Sequence, residues 1–198
     1  MSPRTQEQNE VLRESSRARI LETALELFAR QGYAATSIRM ITQTAGIAQG
    51  LIYNYFASKE ELLATIVQES MQDVRASFAI AQQSSDPSQQ IEQLIRSAFA
   101  IVREKQLFWK LQYSLRMQNS SIPGLEDVLN TSSYEIVATI EEFFRQAGVA
   151  QAQIEAAMLF GQIDGVSQHF VLNPEQYPLD AVADAMVARY RAIIAAKI

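Results

Sequence analysis

A chain of 198 residues, 48% of them hydrophobic, can bury a substantial core as one domain or two. It has no cysteine and a single histidine, His169, which excludes disulfides and thiolate metal sites and argues against histidine-bound zinc or iron, so neither metal nor cofactor is expected. The net charge of −5 is divided unevenly: residues 1–59 carry seven basic and five acidic side chains, and the remainder carries −7, so a basic end faces an acidic body.

The amino-terminal stretch is polar and charged, without the apolar segment of a leader peptide. No apolar run approaches the ~18 residues that span a bilayer, so no membrane partner is expected and the cytoplasm is the expected location. Disorder is not expected beyond the first dozen or so residues.

Helical spacing begins with Ile20, Ala24, Leu27 and Phe28, and Gly32 ends that helix. Thr36 can cap a short second helix with Ile38, Ile41 and Ala45 on one face; Gly46 then supplies a left-handed turn, and another short helix starts near Ala48. This is the layout of a helix-turn-helix. Burying Ile52 and Phe56 turns Gln49, Gly50, Tyr53 and Asn54 outward, and these hydrogen-bonding or small residues suit a major groove. Ser58 to Glu61 form a capping box that opens a long helix to about Gln83.

Beyond it, Asp86 can cap and Pro87 can open the next helix. Helices follow over 88–104 and 106–118, with a kink near Glu104 to Gln106, and NSSIPG at 119–124 is a break. A long helix then runs to Gly148, another covers 151–172, and a last one starts near Pro178. The sum is an all-α fold of about nine helices without strands.

Ala157, Gly161 and Gly165 lie four apart near the carboxyl end, and Ala181, Ala185, Ala188, Ala192 and Ala195 form a near-heptad stripe on the final helix. Small side chains let helices approach closely, either inside one subunit or as a four-helix interface between two.

Large side chains concentrate in the middle of the chain: Phe99, Phe108, Trp109, Tyr113 and Met117, joined later by Phe160 and Phe170. Their periodicity fits a plain core and equally the wall of a cavity. Polar Gln112, Arg116, Gln162, Asp164 and His169 interleave with them, each paired within the protein or available to a ligand; Arg116 and Asp164 can form an ion pair. Catalytic signatures are missing: no GxSxG elbow, no phosphate loop, no GxGxxG after a strand. An enzyme is not expected.

Residues Arg17 to Leu63, above all GYAATSIRMITQTAGIAQGLIYNYFASKEEL, resemble the N-terminal domain of TetR-type (TetR/AcrR-like) transcriptional regulators. In register are the Gly32-Tyr33 turn, Thr36 and Ser37, the Ala45-Gly46 turn, and Tyr53, Tyr55, Phe56 and Lys59. The resemblance implies a DNA-binding head over 16–62 and an effector-binding and dimerisation domain over 63–198, with a small-molecule cavity among the middle helices and dimer contact through the last two. In such a head, Gln49 and Asn54 can read base edges. Leu51, which the family pattern leaves partly exposed, touches a thymine methyl or packs inside the head. Thr36, Ser37, Tyr53, Tyr55 and Lys59 suit phosphates, with Arg39 and Arg30 as neighbours, and Tyr55 can instead be packing.

The function so implied is ligand-responsive control of transcription by a homodimer on a palindromic double-stranded DNA operator, with repression as the family's precedent and a small molecule releasing the DNA. The competing reading is a helical enzyme or small-molecule carrier with a DNA-binding-like head.

Overall fold

The computed structural model describes residues 6–81, 83–117 and 125–197, the side chains at 7, 9, 77, 78 and 125–132 excepted. Within these residues the chain is all-α: α1 (Gln6–Gln31), α2 (Ile38–Ala45), a 3-10 helix (Gln49–Asn54), α3 (Lys59–Ala81), α4 (Pro87–Glu104), α5 (Gln106–Met117), α6 (Leu125–Gln146), α7 (Ala152–Leu172) and α8 (Leu179–Ala196). The break expected over 119–124 lies outside the described residues. Among the described residues no helix is long and apolar enough to cross a membrane, and no cluster of acidic or histidine side chains suits a metal ion.

Local chemistry explains the boundaries. Helix α1 already starts at Gln6, inside the stretch where disorder was not excluded, and it stops at Gly32, whose φ of 88° only glycine adopts easily. The α2 cap is Ser37 and not Thr36: the Ser37 hydroxyl accepts the Met40 N–H at 3.2 Å. Thr36 instead donates to the Gly32 carbonyl at 2.8 Å, which ties the turn together. Gly46, at φ 65°, closes α2 with its N–H on Gln43, while the Ile47 N–H reaches Thr42. The second short helix is a single 3-10 segment, too brief for an α-helix to propagate.

Helix α3 opens with the expected box, one reach altered: Ser58 accepts the Glu61 N–H at 3.1 Å, and the Glu61 carboxylate accepts the Ala57 N–H at 2.5 Å. Asp86 caps α4, taking the Ser88 N–H at 2.9 Å, with Pro87 in the first turn. Between α4 and α5 the expected kink is a full break at Lys105, whose ammonium pairs with Asp73 of α3.

Two apolar clusters hold these helices. The first gathers Ile20, Phe28, Ile41, Ile52 and Phe56 of the head, continues along α3 through Leu62, Leu63, Ile66 and Met71, and ends on α5 at Phe108, Leu111 and Leu115. The second joins α4, α6, α7 and α8 around Ile95, Phe99, Phe144, Leu159 and Tyr190. Trp109 and Ile136 pack against both. The division expected between residues 62 and 63 therefore falls inside α3 and inside the first core, because α5 leans directly on α1.

Phe108 is fully buried in that shared core, so Phe108→Ala should cost about 3–5 kcal/mol. Because head and body share it, helix loss followed by circular dichroism should move to lower temperature as a single transition. Separate melting of the head with the body unaffected would place the coupling elsewhere.

Candidate DNA-reading face and effector cavity

The 3-10 helix buries Ile52 and leaves Gln49, Gly50, Leu51, Tyr53 and Asn54 outside, with Leu51 49% and Tyr53 54% exposed. At three residues per turn, Gly50 and Tyr53 share one side and Leu51 and Asn54 another. A methyl group added at Gly50 would meet nothing within 4 Å, so the fold itself does not demand glycine there. Tyr55 is half-buried, its ring packed against the first core and 6.5 Å from that of Phe56.

Two further phosphate candidates turn inward. Thr36 is 1% exposed, and its hydroxyl is engaged with Gly32 and with the Gln31 amide at 3.2 Å. The Lys59 ammonium donates to the carbonyls of Tyr33 at 3.0 Å and Thr36 at 2.9 Å and stands 4.1 Å from the centre of the Tyr33 ring. It clamps the α1–α2 turn onto the start of α3, a charge-assisted contact reinforced by the ring's negative face. Next to it the Tyr33 hydroxyl donates to Glu60 at 3.0 Å; burial and that carboxylate push the phenol pKa up. Glu60 is held below the usual carboxylate range by its own backbone N–H, then by Ser58 and Tyr33. Ser37 and Arg39 remain exposed on α2. Arg30 pairs with Glu26 at 2.9 Å, and Arg17 with Glu69 of α3 at 2.7 Å.

The middle helices enclose a cavity of about 70 Å³. Trp109, Gln112, Tyr113 and Arg116 of α5 line it, facing Phe160 and Asp164 of α7. Six expected members are elsewhere, among them Phe170, which is buried in the second core, and Gln162, whose amide oxygen accepts from the Tyr190 hydroxyl at 3.2 Å. Phe99, on α4, belongs to the second core and Phe108, on α5, to the first, because the two helices bury different faces. Met117 is 77% exposed, and His169 is exposed with its ring stacked on Tyr177.

Several walls went unnoticed in the sequence: Met71 and Val74 of α3, Leu94, Ala98 and Ile101 of α4, and Ser133, Ile136 and Ile140 of α6. Their three- and four-residue spacings are those of any buried helix face, so no separate signal marks them. At the polar end Arg116 and Asp164 form the ion pair that the sequence allowed, at 3.3 Å, and Arg116 also reaches Ser133 at 3.5 Å. Burial, then Asp164, raises the Tyr113 pKa; the phenol stays protonated and donates to the Asp164 carbonyl at 3.3 Å.

Ala181, Ala185, Ala188 and Ala192 all face outward on α8, as do Ala157 and Gly161 on α7, while Gly165 is half-buried. An added methyl at Gly161 or Gly165 would meet nothing within 4 Å, so packing inside the subunit does not require these glycines. Ile154, Met158 and Leu172 of α7 are exposed too, which leaves that helix apolar on several sides.

Residues 20–66 match the family model described as bacterial regulatory proteins, tetR family. The amino-terminal quarter of the chain is thus a TetR-type helix-turn-helix head. It is 23% identical over 174 residues to the fatty acid metabolism regulator protein of Bacillus subtilis, covering 85% of this chain and 90% of that protein. Among solved structures, a transcriptional regulator from Rhodococcus sp. Rha1 superimposes with a TM-score of 0.77 at 17% identity, covering 91% of this chain and 96% of that one. AibR, in complex with isovaleryl coenzyme A and operator DNA, does so with 0.72 at 21% identity, covering 88% and 97%. In its amino-terminal helix-turn-helix and its helical body the chain is thus similar to TetR-type transcriptional regulators.

Because Lys59 serves the fold of the head, Lys59→Met should leave two carbonyls without their donor and cost about 1.5–3 kcal/mol, read as a lower melting temperature. Arg39 is exposed on α2, and Arg39→Ala should lower the slope of log affinity against log salt by about 0.9. An unchanged melting temperature for Lys59→Met would contradict the clamp.

Proposed function

We propose that this regulator is a repressor that binds a palindromic operator as a homodimer and leaves it when a small molecule enters the cavity. The observation that carries the reading is the double role of α5. One of its faces lines the cavity with Trp109, Gln112, Tyr113 and Arg116; the other puts Phe108, Leu111 and Leu115 into the core that holds the DNA head. A cavity of about 70 Å³ is well below the ~300 Å³ or more of typical ligand sites, so an effector has to widen it. Widening it displaces α5 against α1 and tilts the reading face out of its groove. AibR, whose structure holds both an acyl-coenzyme A and operator DNA, supplies a precedent for the two kinds of partner. By linkage, such an effector binds the DNA-bound protein more weakly by the same factor, a coupling of about 1–3 kcal/mol.

On the DNA side, Gln49 and Asn54 read base edges, Tyr53, Ser37 and Arg39 meet phosphates, and Gly50 keeps the backbone clear for close approach. Leu51 adds an apolar contact. The dimer forms through the small-residue faces of α7 and α8, which sets two reading faces on one side of the duplex and fixes half-sites about 34–36 Å apart or a multiple of that.

Gel shifts with the DNA flanking the gene test the reading. Gln49→Ala should lose about 1–3 kcal/mol on the operator and little on random DNA. Failure of the unaltered chain to prefer any flanking fragment over random DNA would sink the proposal. For the dimer, Ala188→Glu should bury an unpaired charge, and light scattering should then give monomer or aggregate with the helix content kept. A variant that stayed dimeric would move the interface away from α8.

A further inference from the structure

The cavity walls are mostly aliphatic and aromatic, yet three of the lining residues carry a buried polar atom without a hydrogen-bond partner: the Trp109 indole Nε1, a donor, and the Gln112 amide Oε1, an acceptor, both on α5, and the Ser167 hydroxyl of α7, which lies beside the Tyr113 phenol. The α5 pair has no such neighbour. Trp109 and Gln112 stand three residues apart on α5, one turn above the other on the same face. Buried polar groups are almost always satisfied, and each one left unpaired costs about 1–3 kcal/mol.

A ligand group that serves both α5 atoms once the cavity has widened must accept from the indole and donate to the amide oxygen. A hydroxyl does both. An ionised carboxylate accepts from Trp109 but has no proton for Gln112, and it sets its charge against the amide oxygen. Arg116 is the cation among the described lining residues, and Asp164 already neutralises it. No net positive charge therefore awaits an anion, and a desolvated anion without a partner is strongly disfavoured.

We infer that the effector is an uncharged, largely apolar molecule bearing a hydroxyl group, held with that hydroxyl between Trp109 and Gln112. A carboxylate or a coenzyme A thioester is disfavoured, in contrast to the ligand of AibR. The inference rests on the reading of this cavity as the effector site and narrows it to one ligand chemistry.

Octan-1-ol, octanoate and octanoyl-coenzyme A form a matched set of probes, titrated into the full chain at about pH 8, where a carboxylic acid is ionised. Trp109 is the single tryptophan, so its fluorescence reports on the cavity alone. Octan-1-ol should bind at least tenfold more tightly than either anion. Gln112→Leu should raise the melting temperature of the ligand-free chain, by removing an unpaired acceptor, and weaken octan-1-ol at least tenfold. Asp164→Asn should free Arg116 and raise octanoate affinity at least tenfold.

Ala98→Phe, which fills the cavity and keeps Trp109 the single tryptophan, should abolish the binding of octan-1-ol while circular dichroism shows the helices intact. Tighter binding of octanoate or octanoyl-coenzyme A by the unaltered chain, lost in Ala98→Phe, would overturn the uncharged class and leave the cavity as the effector site. If no probe showed binding sensitive to Ala98→Phe or Gln112→Leu, both the ligand class and the cavity reading would fall.

Discussion

Helix α5 is buried on two sides, and the rest of the molecule depends on that constraint. Phe108, Leu111 and Leu115 pack with the head and α3, while Trp109, Gln112 and Tyr113 turn toward α4, α6 and α7. A helix of twelve residues cannot shift on one side without shifting on the other, because close-packed side chains transmit displacement. The head is thus no appendage on a flexible stalk. Its core is completed by a residue set contributed more than fifty positions later in the chain.

Inside the head, the Lys59 ammonium has a comparable part at shorter range. Two carbonyls and the Tyr33 ring surround it, so the turn after α1 and the first turn of α3 are held at a fixed angle, with the 3-10 helix between them. Pairing at Arg17 and Arg30 reduces the positive charge that the head presents further. That fits the small charge excess of the amino-terminal region: recognition there rests on shape and hydrogen bonding more than on a strong field.

Helix α7 joins the remaining functions. Phe160, Ile163 and Asp164 line the cavity, Leu159 and Phe170 belong to the second core, and Ala157 and Gly161 face outward. An event in the cavity is accordingly one helix thickness away from the surface proposed to meet a second subunit. The Arg116–Asp164 pair ties this helix to α5 at the cavity's polar end, so the two helices that frame the cavity are coupled to each other.

Sequence alone determined the elements with local causes. Gly32 and Gly46 ended their helices, the Ser58 box and Asp86-Pro87 opened theirs, and Ile52 with Phe56 set which residues of the short reading helix face outward. Those features depend on neighbours within four residues, and the family motif rests on them. Tertiary structure alone decided where long side chains end. Lys59 and Thr36 look like surface donors in the sequence, but carbonyls from an adjacent turn claim them; Phe99, Phe108, Trp109 and Met117 share one composition and divide among two cores, a cavity and solvent. Helical spacing states which residues share a face, and it cannot state what that face meets. The partner is fixed by the packing of helices distant in sequence.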